Sequence, residues 1–354
     1  MKKTYIIAEM AWGYTGDYEK AIQILNGIKE SGGDAVGIHI TSMVDYMVKD
    51  YKCTAGQTLS DSADESIPIY EFLDQINMSD EDWLKFGKVA DDLGVDLVVM
   101  CNDIPSFEFS KKLNVKKYVV ASAIFLEFDL IQKMVKENND LVLRVGGATL
   151  IEIETIVEFI LSIDSSAKMN LLVGIQMYPT PIDQLNIASI EALRQHFNNS
   201  NITFGLADHI DGDDVNSIYL PALALSYGIT SIEKHITTDR KEKLEDYEAA
   251  LGIEQFKKFV DFIRTSKEAL GDGSLGYLIN DSYVKYRDVV RKKLVAIKDI
   301  SKGTTILDSD VMFKRSDYGE QLENKDNIIG KRLIRDVNKD EGLQIKDVVW
   351  MQYF

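Results

Sequence analysis

Eight short runs rich in β-branched residues recur along the first two thirds of the chain, and stretches with helical spacing lie between them. The runs are TYIIAEM (4–10), DAVGIHI (34–40), DLVVMC (96–101), KYVVAS (117–122), LVLRVGG (141–147), LLVGIQM (171–177), ITFGLA (202–207) and ITSIEKHI (229–236). Near-continuous apolar runs of this length are what strands buried on both faces of a parallel sheet look like. Between the first two, Ala21, Ile24, Leu25 and Ile28 follow helical spacing. WLKFGKVADDLG, LIQKMVKEN, IEIETIVEFILSI, IEALRQHF and VNSIYLPALALSYG read as helices in further gaps. Eight strands alternating with helices predict a (β/α)8 TIM barrel over residues 1–272. A doubly wound open sheet is the alternative, but the count of eight and the missing GxGxxG after the first run favour the barrel.

Residues 41–85 are longer than an ordinary strand-to-helix loop and rich in Asp, Ser, Thr and Tyr. Loops on that face of a barrel build active sites, so the segment is either a lid or a decorative insertion. Beyond the barrel, GDGSLG is a turn-rich break, and residues 273–290 form a polar, basic linker. Residues 291–354 show short strands, KG and EG turns and no long helix, predicting a separate small β-rich domain.

The formal net charge of −17 argues against nucleic acid or an anionic membrane surface as partner. No apolar run approaches eighteen residues, so no membrane span is expected. Two cysteines, Cys53 and Cys101, make no disulfide framework, which fits a cytoplasmic location.

Active-site residues of a barrel sit at the C-terminal ends of its strands. Those ends carry Glu9, His39, Asn102 with Asp103, Ser122, Arg144, Gln176 with Tyr178, Asp208 with His209, and Glu233 with His235. Polar groups there are costly unless paired or used. Of the four histidines, His196 lies in a helical stretch and reads as a surface residue. His209 and His235 end the seventh and eighth strands, which are neighbours in a closed barrel. They are either a metal-binding pair, open to water and substrate oxygens, or two hydrogen-bonded structural histidines. A carboxylate such as Asp208 or Asp246 would suit Mn²⁺. YPTPIDQLN (178–186) holds a loop stiff and extended between two prolines, where it can present Tyr178 to the barrel mouth.

Four motifs in order resemble the sialic acid synthase (N-acetylneuraminate or nonulosonic acid synthase) family. They are IIAE near the start, YPTP after the sixth run, DH after the seventh, and IEKH-x-T-x-DR at the eighth. VA-x-KDI-x-KG and IIGKRL resemble its antifreeze-like SAF domain. The resemblance implies a (β/α)8 enzyme that condenses phosphoenolpyruvate with an N-acetylated amino sugar in surface carbohydrate biosynthesis. It implies a Mn²⁺ or Mg²⁺ ion on His209 and His235, and catalytic roles for Glu9, Tyr178 and Asp246. It also implies a domain-swapped homodimer in which Arg315 of one copy reaches the sugar site of the other. Ser122, Gln176 and His39 fall at substrate-binding positions.

The departures from that family are concentrated in one place. Its second-strand lysine is Gly37 here, its fourth-strand lysine is Val119, and its fourth-strand glutamate is Ile124. Gly13-Tyr14 replaces the Asn-His after the first strand, and Ala207 the serine before Asp-His. A phosphate needs cations or several donors, each charge-assisted bond being worth roughly 1.5–3 kcal/mol. Arg144 is the one new cation at a strand end: either a relocated anion clamp or the partner of a carboxylate within the barrel. Three functions follow: a divergent synthase using phosphoenolpyruvate or another 2-oxo acid, a metal-dependent sugar-acid aldolase, lyase or epimerase without phosphoenolpyruvate, or a non-catalytic sugar-binding relative.

Overall fold

The computed structural model describes residues 3–51, 68–274, 280–322 and 324–349. Cys53 and the middle of the 41–85 insertion lie outside the described residues. The chain divides into two compact units, Met1–Gly271 and Asp272–Phe354.

Eight strands build the first unit: β1 (Tyr5–Ala11), β2 (Ala35–Ile40), β3 (Asp96–Cys101), β4 (Val115–Ala121), β5 (Asp140–Arg144), β6 (Lys168–Val173), β7 (Ile202–Asp208) and β8 (Ser231–Thr237). Each pairs in parallel with the next, and β1 also pairs with β8, so the sheet closes on itself. Closure excludes the open doubly wound alternative. A two-residue strand, β9 (Leu251–Gly252), pairs in parallel with the last two residues of β8, Ile236 and Thr237.

Strand alternation sorts the side chains into two cores. Ile7, Ala35, Val98, Met100, Val119, Val142, Leu172 and Ala207 fill the barrel interior. Their sequence neighbours, among them Ile6, Val36, Leu97, Val120, Leu143 and Leu206, pack under the surrounding helices. The helices are terminated by local chemistry. Asp17 caps Tyr18–Ser31 by accepting from the backbone N–H groups of Glu19 and Lys20, and Gly32 ends it at φ 77°. Thr149 and Glu152 form a capping box on Leu150–Ile163. Trp83 of Asp80–Leu93 is 1% exposed and meets Tyr14 and Phe86 edge-on, both at 5.6 Å between ring centroids.

Several boundaries differ from the sequence expectation. The fifth run stops pairing at Arg144 and the sixth at Val173, so Val145–Gly147 and Gly174–Met177 are loop. VNSIYLPALALSYG is a four-residue helix, Asn216–Tyr219, followed by a 3-10 segment, Leu220–Tyr227. Pro221 lacks the N–H an α-helix interior needs, which accounts for the switch. The 273–290 stretch contains a helix, Asp281–Val290, capped by Asn280 and with no buried residue.

In the second unit β10 (Lys293–Ala296) pairs antiparallel with β11 (Val311–Lys314), and β12 (Arg332–Leu333) with β13 (Val348–Val349). Leu294, Ala296, Ile300, Ile306, Ile328, Leu333, Val337 and Leu343 form its core. Among the described residues, no helix is long and apolar enough to cross a membrane.

Candidate active site

The inward-pointing residues nearest the C-terminal ends of β1, β2, β5 and β8 are charged or polar rather than aliphatic. Register places Glu9 beside Gly37 on one side and His235 on the other. Arg144 enters from the far wall. Its Nε and Nη2 donate to Glu233 Oε2 at 3.1 and 3.0 Å, and Nη2 also donates to Glu9 Oε2. Nη1 lies 3.4 Å from His39 Nε2 and 3.7 Å from the Met100 sulfur. The other oxygen of Glu9 accepts from the Ala11 backbone N–H at 2.8 Å. Glu9 and Glu233 are each 1% exposed. One guanidinium thus stands between two buried carboxylates.

Burial pushes the Glu233 carboxyl up to about 7, with Arg144 opposing the rise. Burial also depresses His39 to about 4, despite the Glu9 carboxylate beside it. Gly37 is part of this arrangement. A Cβ built there would sit 2.2 Å from Glu9 Oε2, so the carboxylate occupies the space a side chain at 37 would need.

The second half of the site is the histidine pair. His209 follows β7 directly, and its Nδ1 donates to the Ile175 carbonyl at 2.7 Å. Its own carbonyl accepts from the Thr180 N–H at 2.8 Å, which ties the Pro-flanked loop to the strand end. The Tyr178–Pro179 bond in that loop is cis. The rings of His209 and His235 are 5.3 Å apart, and the Tyr178 ring lies 4.4 Å from the first and 5.4 Å from the second. The Tyr178 hydroxyl donates to Gln176 Oε1 at 2.7 Å. Asp246, held at φ 63°, places Oδ2 4.0 Å from His235 Nδ1.

Burial drives His209 down to about 3 and His235 well below its ordinary value, so both imidazoles are neutral at physiological pH. Burial and the neighbouring Glu245, Glu9 and Glu248 hold Asp246 well above the carboxylate range. Behind the pair, Lys234 is fully buried and donates to Asp208 Oδ2 at 2.7 Å and to the Ile210 carbonyl at 3.0 Å.

These residues fit a divalent cation in the donor chemistry they offer. A backbone carbonyl fixes His209 as the Nδ1–H tautomer, leaving Nε2 with the lone pair a metal needs. A cation would also reverse the pressure that keeps Asp246 protonated. Among the described residues no three His, Cys, Asp or Glu side chains already converge as a complete cage. The donor set is therefore two imidazoles with positions left for water and substrate oxygens.

Of the residues singled out from the sequence, Glu9, His39 and Arg144 come together in one cluster, and Tyr178, Gln176, Asp246, His209 and His235 in another. Ser122 opens a short 3-10 turn after β4 and is exposed. Arg315 lies in the second unit, exposed just after β11. Asp208 is not beside the imidazoles as a ligand but is committed to Lys234. The Arg144 guanidinium is occupied by carboxylates, so an incoming anion would have to displace one. Glu233 is the residue the sequence argument undervalued. Strand alternation puts it on the same face as His235, and an inward carboxylate facing Arg144 across the barrel was the available signal.

Comparison with known proteins agrees with the fold. The NeuB family model matches residues 24–275 and the SAF domain model residues 291–349. The N,N'-diacetyllegionaminic acid synthase of Legionella pneumophila is 27% identical over 93% of this chain and 90% of its own. The pseudaminic acid synthase of Campylobacter jejuni is 26% identical over 98% and 97%. The crystal structure of N-acetylneuraminic acid (sialic acid) synthetase from Leptospira borgpetersenii superposes with a TM-score of 0.67 at 20% identity, covering 82% of this chain and 93% of that one. With a barrel closed at β1–β8, a histidine pair at its mouth and family models spanning both units, the chain belongs to the NeuB family and carries a C-terminal SAF domain.

Proposed function

We propose that the barrel mouth performs metal-assisted, aldol-type carbon–carbon bond formation between a 2-oxo acid donor and an N-acetylated amino sugar, in surface carbohydrate biosynthesis. The observation that carries this reading is the neutral, carbonyl-oriented His209 beside His235, with Tyr178 packed on both rings and Asp246 next to the second. The names of the two relatives described above, a pseudaminic acid synthase and an N,N'-diacetyllegionaminic acid synthase, support the reaction class.

His209 and His235 would hold a Mn²⁺ or Mg²⁺ ion, which when bound polarises the sugar aldehyde as a Lewis acid. The chain's own residues then do the following. Tyr178 restricts rotation of both imidazoles and, through Gln176, fixes the rim of the acceptor pocket. Donor C3 attacks the aldehyde carbon, and the aldehyde oxygen takes up a proton. Glu233, with a carboxyl near 7, is matched to giving that proton at neutral pH. Arg144 keeps Glu9 and Glu233 in place and balances their charge. If the donor is phosphoenolpyruvate, water adds at C2 and phosphate leaves. If it is a free 2-oxo acid, C3 must first lose a proton, for which Glu9 is the adjacent carboxylate. Ser122 is assigned to the donor side.

A second reading is an aldolase or lyase acting on a sugar acid without phosphoenolpyruvate. One arrangement favours it: Arg144 is closed by two carboxylates, and no lysine stands at 37 or 119, so a multiply charged phosphate meets little positive charge. The two are separated by incubating the full chain and Mn²⁺ with amino sugars plus either phosphoenolpyruvate or pyruvate, and separately with sugar acids. Phosphate release coupled to a new sugar acid supports the first. Pyruvate release from a sugar acid, with no phosphate chemistry, supports the second. No turnover in any arm rejects both.

A further inference from the structure

The opposite end of the barrel is hollow. A cavity of about 430 Å³ opens at the N-terminal ends of the strands, within the range of small-molecule sites. Ile7 and Val142 lie among its lining residues, along with Tyr5, Asn170, Thr203, Thr230 and Ser231, and Lys3, Lys117 and Lys267. Barrel interiors are ordinarily packed with branched aliphatic side chains. Here Asn170 and Ser231 are buried instead, 6% and 4% exposed. Gly205 makes room for them, since a Cβ there would come within 2.2 Å of Ser231 Oγ.

The hydrogen bonds of this ring define what it can still bind. The Asn170 amide donates to Thr203 Oγ1 at 2.9 Å and to Thr230 Oγ1 at 3.1 Å. Ser231 donates to Asn170 Oδ1 at 2.5 Å. Thr203 and Thr230 give their own protons to the Met169 and Phe204 carbonyls. The hydroxyl donors of Thr203, Thr230 and Ser231 are therefore used, while the buried Thr4 hydroxyl in the same lining has no partner among the described residues, and a hydroxyl oxygen has two lone pairs. Thr203 and Thr230 each keep one and Ser231 keeps two, so the ring accepts from ligand hydroxyl groups.

Positive charge comes from three ammonium groups. Lys3 is paired with Asp34 at 2.7 Å, and Lys117 with Asp140 while lying 5.9 Å from the centre of the Tyr5 ring. Lys267, in the last turn of the helix Ile253–Leu270, makes no ion pair among the described residues. Asp34 and Asp140 thus offset two of the three charges, and Lys267 is the ammonium left to meet an anion, in a chain of net charge −17.

We propose that this cavity is a second binding site, separate from the barrel mouth, for a small hydroxylated organic anion of the sugar-acid class. The hydroxyls of the ligand donate to Thr203, Thr230 and Ser231, its carboxylate meets Lys267, and its less polar face lies against Tyr5, Ile7 and Val142. This does not depend on the reaction assigned to the mouth.

The test is calorimetric titration of the full chain with N-acetylneuraminate, N-acetylmannosamine and acetate as probes. The acid sugar should bind at least about tenfold more tightly than the neutral sugar or acetate. Lys267→Glu, at a half-buried position, should weaken it by about tenfold, reversing one charge near the carboxylate. Ser231→Ala should weaken N-acetylneuraminate but not acetate. His235→Ala, at the mouth, should leave this binding unchanged. Equal binding of acetate, indifference to both Lys267→Glu and Ser231→Ala, or loss in His235→Ala would overturn the assignment. Failure of the mouth chemistry would appear instead as absent turnover with this binding intact.

Discussion

Replacing Arg144 by methionine keeps a long, unbranched side chain but removes the only cation between Glu9 and Glu233. The guanidinium makes two bonds to Glu233 at 3.1 and 3.0 Å and a further one to Glu9, all below a barrel mouth where both carboxylates are 1% exposed. Removing one partner of such a cluster costs about 3–5 kcal/mol, because the charge left behind is uncompensated. A separate route gives a similar figure. Without Arg144 the Glu233 carboxyl would fold protonated, and protonating a glutamate of unfolded pKa about 4.3 at pH 7 costs about 3.7 kcal/mol.

The sign with pH follows. In Arg144→Met the folded state binds protons that the unfolded state has released, so stability rises as pH falls from 8 towards about 4.5. The double variant Arg144→Met/Glu233→Gln removes one stranded carboxyl and should recover about 2 kcal/mol or more. Urea unfolding at pH 5, 6, 7 and 8, followed by tryptophan fluorescence, reads these numbers, since Trp12 and Trp83 both report on the barrel. A loss under about 1 kcal/mol that is flat with pH, or strict additivity in the double variant, would refute the argument.

Gly37→Ala should destabilise the barrel by about 1–3 kcal/mol in the same unfolding assay, because its Cβ lands 2.2 Å from Glu9 Oε2 and must displace the carboxylate. Thr149→Ala should cost about 1 kcal/mol by removing the capping box of Leu150–Ile163, with no change in Mn²⁺ affinity. Since burial lowers His209 to about 3 and His235 well below its ordinary value, protons compete for these imidazoles only in strong acid. In Asp246→Asn, which has no carboxyl proton to lose, Mn²⁺ binding at pH 5.5 should therefore remain close to that at pH 7.5, whereas loss with a midpoint near 6.5 would show that the histidines titrate as exposed ones.

The barrel was legible because eight runs such as DLVVMC and ITFGLA are apolar on both faces, which only a covered parallel sheet requires. Strand ends were less so: LVLRVGG stays apolar for three residues past the strand end at Arg144, and LLVGIQM for two past the strand end at Val173. Composition cannot distinguish a strand from an apolar loop that follows it. The histidine pair could be read from the sequence because strand order makes β7 and β8 neighbours. That Arg144 pairs with a carboxylate in the barrel was one of its two readings, but which carboxylate could not be read, since Glu233 meets it across the barrel from 89 residues away. Lys234 shows the same limit. Alternation points it away from the barrel interior, yet it is buried, because Asp208 and the Ile210 carbonyl receive it between sheet and helices.

His209 and His235 are assigned as the ligands of a metal centre at the barrel mouth. Equilibrium Mn²⁺ binding by electron paramagnetic resonance tests it directly, using the intact chain, His209→Asn and His235→Asn. One tightly held ion per chain is expected, lost in either variant while Thr149→Ala retains it. An intact chain that holds no ion, or one whose ion survives both histidine substitutions, would contradict it.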